Sequence, residues 1–217
     1  MLRALFVFAL ILSGATTVTA VAQPAEPAQI ITERTRAVLD TLSTQREAFK
    51  ADPIKLRTYV KSQLDDVMDR VYSAQLVLAR HARTASREQV LAFAEALTNS
   101  LLNRYADAII ELDPQTETKI LSSTPLRNGE LMRVATHILR KGGEPVAVDY
   151  LFRQRDGQWM VFDVIVEGIS YVQTYRTQFD ELLRKQKRGR FSRWLKQLLG
   201  GLDRRFGAGR DVNARHD

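Results

Sequence analysis

PVAVDYLFRQRDGQWMVFDVIVEGISYVQTYRTQFDELLR, residues 145–184, decides the fold. Two alternating stretches meet at Asp156-Gly157, a dipeptide that suits a two-residue hairpin because both turn positions need positive φ. Side chains alternate with period two along a strand. Val146, Val148, Tyr150 and Phe152 therefore share one face, and Met160, Phe162, Val164 and Val166 share a face of the next strand. The opposite face of that second strand carries Trp159, Val161 and Ile165 beside Asp163 and Glu167, which predicts a central strand. A break at Glu167-Gly168 then releases a helix with Tyr171, Val172, Tyr175, Phe179, Leu182 and Leu183 at helical spacing.

Upstream of this stretch the pattern is helical first and extended afterwards. Ile31, Val38 and Leu42 mark a helix over about 28–49. Asp52-Pro53 opens a second, with Asp suited to the N-cap and Pro to the first turn. That helix breaks near Asp69 and resumes briefly toward His81. Ser86-x-x-Gln89 has the form of a capping box and starts a long helix over about 87–112, striped by Val90, Phe93, Ala94, Leu97, Leu101, Tyr105 and Ile109. Asp113-Pro114 ends it. A weak strand at 119–122 and a better one at 131–140 follow, and Gly142-Gly143 turns the chain into the Pro145 strand. Helices, then strands, then a helix define an α+β class, with helices packed on one face of an antiparallel meander sheet.

The two ends of the chain differ from its middle. Arg3 precedes the apolar run Ala4–Leu12, and Ala20-Val21-Ala22 fits a small-x-small cleavage site, so residues 1–22 read as a secretory signal peptide cleaved after Ala22. The run is too short to span a bilayer, which takes about 20 apolar residues. With no Cys in the chain, no disulfide, thiol nucleophile or lipoprotein anchor is available. Residues 23–186 form the domain. The formal net charge is +7, but residues 184–217 hold eleven Lys and Arg against three Asp and Glu, leaving the rest nearly neutral. The domain itself is therefore a poor nucleic-acid binder. In residues 187–217, Phe191, Trp194, Leu195, Leu198 and Leu199 form an apolar stripe among basic residues, ending at Gly200-Gly201 before a disordered-looking remainder. Such a basic amphipathic helix suits a membrane surface; packing on the domain is the competing reading.

Motifs for catalysis are absent. His81, His137 and His216 are scattered, and there is no HExxH, GxSxG, P-loop or GxGxxG. Asp65, Asp66 and Asp69 form a small acidic group on a helix, read as a solvated or capped face rather than a metal site. Asp163, on the central strand, reads as a hydrogen-bond acceptor. What is abundant is large apolar side chains on one side. The sheet presents Met132, Val134, Ile138, Val146, Val148, Tyr150, Phe152, Phe162, Val164 and Val166. The helices present Leu64, Met68, Val71, Tyr72, Phe93, Leu97, Leu101, Tyr105 and Tyr175. Sequence alone does not distinguish a packed core from a lined cavity.

GQWMVFDVIVEGISYVQTYRTQF, residues 157–179, and ARHARTASREQVLAFAEALTNSLLNRYADAI, residues 79–109, closely resemble the periplasmic phospholipid-binding shuttles of the Mla system, the toluene-tolerance auxiliary family. The resemblance spans roughly residues 28–186. It implies no enzyme activity and no cofactor; phospholipid would be cargo, with its acyl chains held between sheet and helices by the apolar residues just named, other than Met132 and Val146. It also implies transport between outer and inner membranes that maintains outer-membrane lipid asymmetry, and docking to an inner-membrane ABC lipid transporter complex and an outer-membrane lipoprotein complex. Burial is worth about 0.8 kcal/mol per methylene, so exposing two chains of about 15 methylenes costs on the order of 24 kcal/mol, which a dry cavity avoids. Arg80, Arg83 and Arg104 are candidates for the head group. The rival reading is a hydrolase or isomerase on a similar scaffold, with Tyr72, Tyr105, Tyr150, Asp149 and Asp163 as its polar material. An adaptor that uses the basic tail on a membrane surface is a third. The family is expected to end soon after the TYRTQF helix, which would make the tail a departure from it.

Overall fold

The chain begins with α1 (Pro27–Ala51), α2 (Pro53–Val67), α3 (Arg70–Leu78) and α4 (Arg87–Ile110). A meander of β1 (Glu117–Leu126), β2 (Leu131–Leu139), β3 (Val146–Arg155), β4 (Gln158–Val166) and the short β5 (Ile169–Ser170) follows, and α5 (Tyr171–Arg184) closes the sequence of elements. This computed structural model describes residues 26–184; the expected signal peptide and the expected basic amphipathic helix with its tail lie outside the described residues. The sheet order is β1-β2-β3-β4-β5, antiparallel throughout. The class is α+β, as the order of patterns predicts.

The caps read from sequence form. Asp52 accepts from the backbone N–H groups of Ile54 and Lys55, at 3.0 and 3.1 Å. In the capping box, Gln89 Oε1 accepts from the Ser86 N–H at 2.9 Å, and Ser86 Oγ accepts from the Gln89 N–H at 3.3 Å. These bonds satisfy donors that the first turn of a helix leaves unpaired. At the far end of α4, the Arg46 guanidinium of α1 donates to the carbonyls of Ile110 and Leu112. That closure has no sequence motif.

Asp156 and Gly157 adopt φ of 52° and 78°, the left-handed pair that a two-residue turn with right-handed strand twist requires. The expected helix start at Glu167-Gly168 is replaced by a second turn of the same kind. Glu167 and Gly168 take φ of 49° and 79°, and Val166 pairs with Ile169. Glu167 tolerates this conformation because it is tied to the adjacent strand. Its N–H donates to the Ala147 carbonyl at 2.9 Å, and its Oε1 accepts from the Ala147 N–H at 2.6 Å.

One expectation about β4 is corrected. Tyr150 pairs with Val164 and Leu151 with Asp163, but Phe152 pairs with Val161, so Phe162 is skipped as a bulge. A bulge shifts the alternation by one residue. Trp159 and Val161 therefore share the face of Val164 and Val166, and Met160 and Phe162 leave it. β4 is also less central than predicted. Its outer edge is covered by β5 at Ile165 and Val166 and by a bridge from Met68 at Val161.

Three apolar clusters result. One joins α3, α4 and α5 through Val77, Leu78, Phe93, Leu97, Tyr175 and Phe179. A second joins α1, α2 and α4 through Leu42, Phe49, Leu56, Val60 and Leu102. The third lies on the sheet, where Ile31 of α1 covers Val134, Phe152, Trp159 and Val161.

Candidate functional site

The seam between helices and sheet is pinned at β4 by two buried carboxylates. Asp69 sits at the break between α2 and α3, where Met68 is extended with φ −104° and ψ 134°. Its N–H donates to the Val161 carbonyl at 2.8 Å. Its carboxylate accepts from the Tyr72 N–H at 3.2 Å, capping α3, and pairs with Arg153 and, at 3.5 Å, with Arg155. Arg153 also lies over the Tyr72 ring, 4.3 Å from its centroid. Ser73 Oγ donates to the Phe162 carbonyl at 2.7 Å. Asp163 accepts from Ser170 Oγ at 2.6 Å and from the Val172 N–H at 3.0 Å, anchoring the start of α5. A buried carboxylate needs such partners, because desolvation without them is costly.

The apolar residues named from sequence divide by burial. Val134, Val148, Phe152, Phe93, Leu97, Phe162 and Tyr175 are buried. Leu64, Met68, Val71, Tyr72, Leu101 and Tyr105 on the helices are half-buried, as are Met132, Ile138, Val146, Tyr150, Val164 and Val166 on the sheet. Phe93 and Leu97 belong to the cluster among α3, α4 and α5 and so pack helix to helix instead of facing the sheet. Phe162 meets the Tyr72 ring edge to face at 5.4 Å. Val71 and Leu101 pack against the first cluster, Leu64 against the second, and Met68, Met132, Tyr150 and Val164 against the third. Together these partly exposed apolar residues of the helices and the sheet make an apolar seam at the margins of the clusters.

Phenols gather where α4 and α5 meet. Tyr105 and Tyr171 have ring centroids 6.0 Å apart at 79°, and Tyr171 stacks on Tyr175 at 6.5 Å. Arg104 lies 5.7 Å from the Tyr105 ring centroid. Burial raises the Tyr171 phenol above its ordinary range, and its hydrogen bond with Tyr105 adds to the rise. Burial likewise pushes up Tyr175 and Tyr150. These groups stay protonated through neutral pH and act as hydrogen-bond donors. The sequence places Tyr105 and Tyr175 on the apolar wall, with Tyr105 also among the polar material of the rival reading, and Tyr171 on the stripe of its helix.

The remaining polar candidates are dispersed. Arg80 pairs with Asp180 at 2.8 Å, and Arg83 is exposed nearby, before α4 begins. Arg104 lies 17 residues past the start of α4, about 25 Å along the axis at 1.5 Å per residue. The three arginines therefore do not converge. The material for a hydrolase does not converge either: Asp149 pairs with Arg133, Asp163 anchors α5, and Tyr72 is held between Phe162 and Arg153. Asp65 pairs with Lys61 and Arg70, and Asp66 with Arg34. No cluster that could hold a metal occurs among the described residues, and none of their helices is long and apolar enough to cross a membrane. Two open concavities, of about 410 and 280 Å³, lie on the helical side. One is lined by α3, α5 and the turn after α3, the other by α2 and α4, and neither includes a residue of the apolar seam.

Comparison with known proteins adds a second line of observation. The family model described as MlaC protein matches residues 32–198. That span reaches into the basic segment, against the expectation that the family ends soon after α5. The chain is 25% identical over 160 residues to the toluene tolerance protein ttg2D of Pseudomonas putida, covering 73% of this chain and 74% of that one. It is 23% identical over 171 residues to the intermembrane phospholipid transport system binding protein MlaC of Haemophilus influenzae, covering 77% and 79%. Among solved structures, a phospholipid-binding protein of Ralstonia solanacearum, solved in complex with a phospholipid, superposes with a TM-score of 0.72 at 21% identity, covering 84% of this chain and 97% of that one.

Proposed function

The chain belongs to the MlaC protein family, and on that premise we propose that it is a periplasmic phospholipid-binding component of an intermembrane lipid transport system. The observation that carries the reading is the incomplete burial of the seam. Tyr150, Val164 and Val166 on the sheet and Leu64, Met68, Leu101 and Tyr105 on the helices are apolar or aromatic, lie inside the fold, and remain half-buried. Acyl chains would complete the burial at about 25 cal/mol per Å² of apolar surface. The phospholipid complex of the Ralstonia solanacearum protein and the name of the Haemophilus influenzae relative support the same cargo.

The protein would extract one phospholipid, keep the acyl chains dry against the seam, and release it to a partner without covalent chemistry. Docking to an inner-membrane transporter and an outer-membrane lipoprotein complex fits the transport-system name of that relative. Residues 1–22, as a cleaved signal peptide, would place it in the periplasm. The basic segment after Arg184 would hold the carrier near anionic lipid between transfers.

Mass spectrometry of an organic extract of the purified protein tests the reading. Phospholipid is expected at close to one molecule per chain. Val164→Glu, which sets a carboxylate in the seam with no partner, should strip the lipid. Lipid-free wild-type protein, or full lipid content in folded Val164→Glu, overturns the proposal.

A further inference from the structure

We propose that Tyr105, Tyr171 and Arg104 form a head-group subsite that holds the phosphodiester of the bound lipid at the junction of α4 and α5; this rests on the carrier reading above. Three observations converge there. First, the position is a boundary. Arg104 is exposed, Tyr105 and Tyr171 are half-buried, and Tyr175 is buried, so polarity falls from solvent into the fold within two helical turns. A tyrosine suits such a place because its ring is apolar and its tip is polar. Second, the rings meet. Tyr105 and Tyr171 contact edge to face at 6.0 Å, while Tyr175 stacks behind Tyr171. Two phenols whose rings touch bring two hydroxyls to one place, and each can turn its hydroxyl to an incoming acceptor.

Third, the charge is of the right sign and placed at the edge. Arg104 lies beside the Tyr105 ring, and a guanidinium is always charged and matches phosphate geometry. The burial that raises the Tyr171 phenol also keeps it a neutral donor, so no phenolate repels the anion. Leu101, one turn before Tyr105 on α4, and Val172, next to Tyr171 on α5, are half-buried apolar neighbours. The acyl esters would thus lie below the phenols and the phosphate level with them. Arg80 and Arg83 precede α4, whereas Arg104 lies about 25 Å along it, so they have no part in this subsite.

The test uses water-soluble probes, dihexanoyl phosphatidylethanolamine and dihexanoylglycerol, titrated by calorimetry into the full chain after lipid removal. Wild type should bind the phospholipid more tightly than the diacylglycerol. Tyr105→Phe with Tyr171→Phe keeps both rings and should weaken the phospholipid by at least about 10- to 100-fold, the loss expected for one hydrogen bond to a charged group. Binding of the diacylglycerol should change less than about twofold. Arg104→Gln should act in the same direction and make phospholipid binding less dependent on salt. Equal weakening of both probes means that the phenols only shape the wall, and overturns the subsite. No weakening of either, or a wild type that does not distinguish the probes, overturns it as well while leaving the carrier reading intact. A wild type that binds neither probe removes both proposals.

Discussion

Phe93 and Phe179 meet edge to face at 4.8 Å with no more than 1% of either exposed, while Val164 and Val166, mid-sheet and just as apolar, stay half-buried. Both places are inside the fold and drawn from the same residue types. The helical cluster is closed because three helices supply apolar side chains from every direction. The seam is held at points instead: Met68, just after α2, bridges to Val161, Ser73 of α3 bonds the Phe162 carbonyl, and Asp163 accepts the Val172 N–H at the start of α5. Packing density in a protein interior normally leaves few voids. On the carrier reading proposed above, the half-covered apolar row is where acyl chains would complete the contact.

Mutations separate the two regions. Phe93→Ala removes a side chain from the closed cluster and should cost about 3–5 kcal/mol in urea unfolding, with lipid per folded molecule unchanged. Asp69→Ala uncaps α3 and strips Arg153 and Arg155 of their carboxylate; breaking a buried pair costs about 3 kcal/mol. The loss should be accompanied by faster amide exchange along the β4 edge, and protection as in wild type would show that the Met68 bridge holds alone. Val164→Ala should cost only about 1 kcal/mol, because little of its transfer energy is realised in a half-buried site, yet it should lower lipid content measurably. A stability loss as large as that of Phe93→Ala would mean that the seam is ordinary core.

The phenols give a pH test of the same contrast. Tyr150, Tyr171 and Tyr175 are raised above the ordinary value in the fold. The unfolded chain then ionises first, near pH 10, and the native state binds more protons in that range. Stability is full below about pH 10 and falls as pH rises past it. Urea unfolding at pH 8 and pH 10.5 should show the drop, with a smaller one in the Tyr171→Phe variant. The smallest effect belongs to Leu121, skipped as a bulge in β1 and 48% exposed: Leu121→Thr should stay within about 0.5 kcal/mol.

Much of this organisation is legible in the residues. Asp52-Pro53, Ser86-x-x-Gln89 and Asp156-Gly157 act through local hydrogen bonds and local φ preference, so each specifies its own geometry without the rest of the chain. The bulge at Phe162 is a different kind of feature. It depends on where β3 pairs with β4 and on Ser73 reaching the Phe162 carbonyl from 89 residues away, and a period-two reading of one strand has no access to that. Glu167-Gly168 reads from sequence as a break before a helix; that it is a hairpin turn depends on the Glu167 side-chain bond to Ala147, a tertiary contact. In the same way, Phe93 and Leu97 match the stripe of residues expected against the sheet, and only the third helix, α5, decides that they turn to it instead. The phenol group needed the α4–α5 crossing to assemble from residues 105, 171 and 175.

The strictly sequential strand order has a kinetic side. Each strand pairs with its neighbour in the chain, and two of the four connections are two-residue turns with both residues already in the conformation they need. Hairpins of this kind form in about 1–10 μs, so the meander can zip outward from Asp156-Gly157 with little loop entropy to overcome. The contacts that join helices to sheet reach much further along the chain: Ser73 meets Phe162 across 89 residues, and Ile31 covers Val161 from still earlier in the chain. Docking of the helices on the sheet is therefore expected late in folding, after the meander exists, and the latest-formed contacts are those a chain can reopen without unravelling the rest.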